Sequence, residues 1–347
     1  MQLARLTLSS ALGAVCLMAL AIGVSDARPS RTPPPAPVSL PQPGLAPSLV
    51  QQAAAYRGYI ARATAINPAF TDPATVATAL RTGAAYEPQQ FLRGALAYAA
   101  IAALQDQTFV AAVRAAGGND IMSRRALEYQ LLSDPANVMR LPGATNAAAL
   151  SSAALNGEGL RLLTSGRAVK RSAYDTQHQA WANTRVTMPA ERLAAVRALG
   201  SVPLTADVAE ASRLNQSAQG RTPLGLLPEP TARAPYSSLV ARAVSLAALS
   251  TIGMAGEEQL PRIMPNLTDP GATYCLSIAK LNLYQCLAVA GPQYEDMFCL
   301  GQHVLLDTSA CLIRGSGAAL PPEFVPPVAA PPRPSRPYSP RPRRPNR

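Results

Sequence analysis

The chain has 347 residues, with 31 basic side chains against 20 acidic ones and a formal charge of +11. Only two histidines are present, which excludes a multi-histidine metal centre, and aromatic residues make up only 5% of the chain. No G-x-S-x-G, H-E-x-x-H, P-loop or dinucleotide fingerprint occurs, so the common hydrolase and nucleotide-binding signatures are absent.

The first segment, 1–27, reads as a signal peptide. Arg5 precedes an apolar run from Ala11 to Val24, and Ser25-Asp26-Ala27 places small residues at the first and third positions before Arg28. As a helix this run rises about 21 Å, short of the roughly 30 Å hydrocarbon core of a bilayer. Val15 before Cys16 does not suit a lipoprotein site. The expectation is a mature chain beginning at Arg28, without a transmembrane span, in the periplasm or secreted.

Residues 28–47 carry Pro33, Pro34, Pro35, Pro37, Pro41 and Pro43, a composition that favours an extended polyproline linker. Alanine-rich segments at helical spacing follow over 48–222, and strand signals are nearly absent. Asp72-Pro73 and Asp134-Pro135 each pair a capping side chain with a proline suited to the first helical turn, so helices are expected to start there. Phe91, Ala95, Leu96, Ala99 and Ala102 form one apolar stripe, and Leu127, Leu131 and Leu132 a shorter one.

The most polar concentration in this region is Lys170, Arg171, Tyr174, Asp175, Gln177, His178, Trp181 and Asn183. On a continuous helix Asp175 and His178 lie close enough to hydrogen-bond, with Trp181 on the same face. A base oriented by a carboxylate beside a stacking aromatic is the arrangement by which a cell-envelope, hydrolase-like enzyme would process a sugar or a peptide. The plainer reading of the same residues is a solvated helix face with Trp181 packed inward.

Pro223, Pro228, Pro230 and Pro235 make 223–235 a loop that no helix crosses, the best internal boundary in the chain. Region 236–316 then opens with Tyr236–Gly253, apolar on almost every face. Arg242 and a length of about 18 residues argue for a buried central helix over a membrane span.

Four cysteines fall in this region. Tyr274–Ala290 and Glu295–Arg314 both read as helices, and Gly291-Pro292 turns one back against the other. Cys275 and Cys286 are 11 residues apart, on one helical face but about 16 Å apart along the axis. A disulfide needs its α-carbons roughly 4.4–6.8 Å apart, so sequential pairing fails, and interleaved pairing fails by a similar offset. Nested pairing remains: Cys286 with Cys299, and Cys275 with Cys311. On the second arm 12 residues separate Cys299 from Cys311, about 120° out of phase on an ideal helix. Gly301 is the candidate break that corrects this. A four-thiolate zinc site is disfavoured because no C-x2-C pair occurs.

Around these cysteines the block Tyr274-Cys275, Lys280 to Ala290, Tyr294-Glu295-Asp296 and Phe298 to His303 resembles the C-terminal signature of an alanine-rich exported family of alphaproteobacteria with no known activity. The resemblance covers about 40 residues closely and implies a bacterial periplasmic or secreted protein. It carries no catalytic residue, and His303 reads as a capping or surface side chain.

The final segment, 317–347, alternates prolines with Arg333, Arg336, Arg341, Arg343, Arg344 and Arg347 against one acid, Glu323. Arginine outnumbers lysine 29 to 2 in the whole chain, Lys170 and Lys280 being the lysines. A GC-rich genome accounts for that ratio but less well for the clustering at the end. The expected fold class is all-α: an irregular multi-helix domain with a C-terminal disulfide-clasped hairpin, flanked by disordered Pro/Arg-rich ends. The expected function is that of an exported, envelope-associated interaction or structural protein. Its basic tail would bind an anionic polymer or lipid of the envelope, and nucleic acid only if the protein is secreted. No cofactor or metal is expected, and oligomeric state is not legible.

Overall fold

The computed structural model describes residues 42–324, so the signal-peptide segment, most of the linker and the six tail arginines lie outside the described residues. Within them the chain is all-α. No strand forms, and an isolated antiparallel bridge joins Arg185 to Pro292.

Short acidic caps set the helix starts. Asp72 accepts from the Thr75 amide at the head of α2 (Pro73–Ala84), and Glu87 accepts from Gln89 and Gln90 at the head of α3 (Pro88–Ala103). Before them lies α1 (Pro47–Thr64). Asp106 and Asp120 cap α4 (Gln107–Gly117) and α5 (Ile121–Ser133) in the same way. Asp134 also caps, but the helix it starts is a 3-10 segment, Pro135–Arg140, rather than an α-helix. Then come α6 (Ala144–Thr176), α7 (Pro189–Leu199) and α8 (Val208–Ala218), the last capped by Asp207.

The stripe on α3 is buried as expected, yet so are most residues between its members, because α3 packs against α1, α6 and α9 (Ser238–Thr251) together. Its alanines let three helices approach closely. At one end Tyr56, Tyr59, Tyr86 and Phe91 form an aromatic cluster with ring centroids 5.0 to 5.6 Å apart. Leu127 and Leu131 are buried and Leu132 is half-buried. The apolar segment at 236–253 is α9, enclosed by the rest of the chain as its composition demands. The proline-punctuated stretch before it holds no helix. It is pinned on α6, where the Glu229 amide donates to Ala149 and Asn156 donates to the Glu229 carboxylate. Helices on both sides of this stretch contribute to one apolar cluster. Among the described residues no single helix is long and apolar enough to cross a membrane.

After a short α10 (Leu260–Ile263), Asp269 caps α11 (Pro270–Val289). The returning arm is α12 (Gln293–Cys299), a π-helical segment Leu300–Leu306, and α13 (Asp307–Ser316). Cys275–Cys311 and Cys286–Cys299 are bonded in nested order, each pair with α-carbons 5.7 Å apart. Two such disulfides belong to an oxidising, extracytoplasmic setting.

The π segment resolves the phase problem on the second arm. A π-turn is in effect an α-helix with one residue inserted, so it retards the side-chain phase by roughly 100°, nearly the whole 120° mismatch between Cys299 and Cys311. Gly301 sits in this segment for a packing reason. A Cβ there would stand 2.7 Å from the backbone nitrogen of Lys170 on α6, and backbone cannot move aside as a flexible side chain does.

Candidate functional site

Six of the chain's ten aspartates are spent as N-caps: Asp72, Asp106, Asp120, Asp134, Asp207 and Asp269. Among the described residues that leaves Asp175, Asp296 and Asp307 for other work. Two of these lie on the disulfide-clasped arm.

Asp307 opens α13 just past the π segment and is the hub of a polar network. His303 Nδ1 lies 2.8 Å from its Oδ2, and Gln302 Nε2 donates to its Oδ1 at 2.9 Å. Asn282 on α11 reaches Oδ2 at 3.5 Å, and Lys170 Nζ on α6 donates to Gln302 Oε1 at 2.7 Å. Burial pushes the Asp307 carboxyl up, but the bonds from His303, Gln302 and Asn282 more than offset it and hold it below the ordinary range. An ionised carboxylate only accepts, so the shared proton sits on Nδ1, and in the neutral form of the imidazole Nε2 carries the lone pair. This is the geometry of an oriented general base. The pair is only partly shielded, with His303 20% and Asp307 22% exposed.

The second lysine lies on the other side of the arm. Lys280 on α11 is 5% exposed, donates from Nζ to the Ala84 carbonyl and stands 3.8 Å from the Tyr86 ring centroid. Burial pushes its ammonium down to about 7, with the Glu87 charge acting the other way. A compact ammonium on a slim stem fits one carbonyl and one ring face, which a planar guanidinium with five donors does not. That accounts for lysine here in a chain otherwise rich in arginine.

Asp296 on α12 forms the third arrangement. Arg192 of α7 donates both to Asp296 and to the Leu287 carbonyl, and burial of the pair pushes the Asp296 carboxyl up against the opposing pull of Arg192. The pair floors a cleft of about 340 Å³ whose walls include Leu80, Val196, Gln293 and Met188. Met188 adopts the left-handed conformation at φ 52°, a position few non-glycine residues occupy. The loop that presents it is stitched to the hairpin turn, Val186 donating to Gly291 and Gln293 donating to Thr184.

The structure divides the polar residues of 170–183 into two groups. Lys170 and Tyr174 join the arm: Lys170 through Gln302 and the Phe298 ring, at 5.3 Å, and Tyr174 edge-on to the same ring at 6.1 Å. Asp175 and His178 do not come together. α6 ends at Thr176 and the chain turns back, Asn183 Nδ2 donating to the Gln177 carbonyl, so the continuous helix assumed for Asp175, His178 and Trp181 breaks between the first two. Both are exposed, and no hydrogen bond joins them. Trp181 packs against the core and donates to Gln179 at 2.6 Å. His303, read from sequence as a capping or surface group, is instead the oriented imidazole, and its i,i+4 spacing from Asp307 was the available signal.

Among the described residues no group of three or more His, Cys, Asp or Glu side chains is placed to hold a metal. Scans against protein-family models, curated proteins and solved structures find no match for this chain. Function has to be read from the residues themselves.

Proposed function

We propose that the protein is an exported, envelope-associated interaction or structural protein, a clasped helical body whose Pro/Arg tail binds polyanions. The observation that carries this is the tail itself: six arginines within the final 15 residues and no acid among them. Guanidinium groups pair well with the phosphate, sulfate and carboxylate groups of an anionic surface. The leader-like segment ending at Ala27 and the likeness of the cysteine block to an exported alphaproteobacterial family support export. Intact mass of the protein from its native envelope should begin at Arg28, and recovery of Met1–Ala27 attached would mean a retained anchor.

Lipopolysaccharide, acidic glycan and anionic lipid are the partners this chemistry fits, with nucleic acid added outside the cell. Each arginine near an anionic surface contributes about 1 kcal/mol, so about 6 kcal/mol is a ceiling before ordering costs. Deleting Arg333–Arg347 should abolish most retention on heparin or lipopolysaccharide at low salt while leaving the melting temperature unchanged. Equal retention of the truncated chain would move the binding element to the body.

A hydrolase-like envelope enzyme is the second reading, and the observation favouring it is the oriented His303–Asp307 pair in place of Asp175, His178 and Trp181. His303→Gln should then remove any envelope-glycan or peptide hydrolysis without unfolding the chain, and the reading fails if hydrolysis persists.

A further inference from the structure

The two disulfides differ in what stands beside their sulfurs. Arg314, on the last turn of α13 and exposed, places Nη1 3.5 Å from Cys275 Sγ. Among the described residues no hydrogen-bond donor reaches either sulfur of Cys286–Cys299. Each bond has one partly exposed cysteine, Cys275 or Cys286, and one buried partner, Cys311 or Cys299, so the guanidinium is what sets the outer bond apart.

We propose that Cys275–Cys311 is a thiol–disulfide exchange site, attacked at Cys275 Sγ by an external dithiol while Cys286–Cys299 stays closed. The dithiol's thiolate attacks Cys275 Sγ, forming a mixed disulfide as the Cys275–Cys311 bond breaks and its electron pair leaves on Cys311. The second thiolate of the dithiol then attacks its own sulfur in the mixed disulfide and expels Cys275 as a thiolate. The dithiol departs as its internal disulfide, having passed two electrons to the protein, and each cysteine takes a proton from water. Arg314 serves both steps. Its guanidinium draws in the attacking thiolate, and it stabilises negative charge on Cys275 and on Cys311, which lies three residues before it on the same helix. Exchange rates rise with stabilisation of the leaving thiolate, so the bond beside the guanidinium opens first. Opening it frees α11 from α13, the helix after which the 317–347 tail begins.

The test uses the oxidised mature protein under native conditions, limiting dithiothreitol, acid quench, maleimide alkylation and peptide mass mapping of each cysteine over time. Cys275 and Cys311 should become labelled about tenfold faster than Cys286 and Cys299, and Arg314→Gln should slow that labelling about threefold without altering the inner pair. Arg314→Lys keeps the charge and should retain the fast rate. A glutathione arm should trap the mixed disulfide on Cys275. Inner-first or simultaneous opening, a native rate in Arg314→Gln, or a glutathione adduct on Cys311 would each overturn the proposal. Circular dichroism confirms that the variants are folded before rates are compared.

Discussion

Replacing Cys275 and Cys311 together by alanine should lower the free energy of unfolding by about 4 kcal/mol, and replacing Cys286 and Cys299 by about 3 kcal/mol. The two bonds span sequence separations of 36 and 13 residues, and the longer loop restricts the unfolded chain more. Equilibrium urea denaturation of each double variant measures both losses. Hydrogen exchange should show where the fold weakens: α11 and the α12–α13 arm lose protection, while α3, enclosed by α1, α6 and α9, keeps it. A loss below about 1 kcal/mol for the outer pair would mean that the unfolded chain is already held near its native closure.

Stability should also rise with pH between about 7 and 9, because of Lys280. Its folded-state ammonium is pushed down to about 7 from an ordinary 10.5, so above pH 7 the unfolded chain binds more protons than the folded one. The burial cost is therefore fully present below pH 7 and is relieved as the pH climbs toward the unfolded value. The slope is at most about 1.4 kcal/mol per pH unit, or about 3 kcal/mol across this window. Above pH 10 the buried hydroxyls of Tyr56, Tyr59 and Tyr86, whose ionisation is pushed up by burial, reverse the trend, since the unfolded chain then sheds protons that the folded chain keeps. Lys280→Met removes the ammonium and keeps most of the stem, so urea denaturation of this variant at pH 7, 8 and 9 should lose the native slope. A slope unchanged by the substitution would place the titrating group elsewhere.

These two results test parts of the molecule that differ in how far they could be read in advance. The clasp was legible because it depends on quantities internal to one segment: 11 residues of rise between Cys275 and Cys286, a Gly291-Pro292 turn, and the reach of a disulfide. Its one inconsistency, the phase of Cys311, is resolved by a π segment at the glycine suspected of breaking the helix. Lys280 was visible as a rare lysine, but not as a buried one. Its carbonyl partner, Ala84, is 196 residues away, and no local pattern encodes that meeting.

The candidate site shows the same division. Asp175 and His178 suggested a pair because spacing on a helix implies contact, and the pairing fails where α6 stops at Thr176. His303 and Asp307, four apart across the π–α junction, meet as spacing allows, while Lys170 is brought to them by a close approach of two helices that Gly301 permits. Arg192 and Asp296 are 104 residues apart and become a buried pair because the hairpin turn docks on the loop before α7.

By itself the amino-acid order determined the all-helical class, the Asp72 cap that starts α2, the buried α9 and the nested cysteines. Each follows from capping, periodicity or rise per residue within a single element. Tertiary structure alone decided which helices surround α3, which aspartates were left free to meet a base, and which disulfide acquired a guanidinium. Those outcomes depend on packing between distant segments, where the energy comes from surfaces that meet only after the chain has folded.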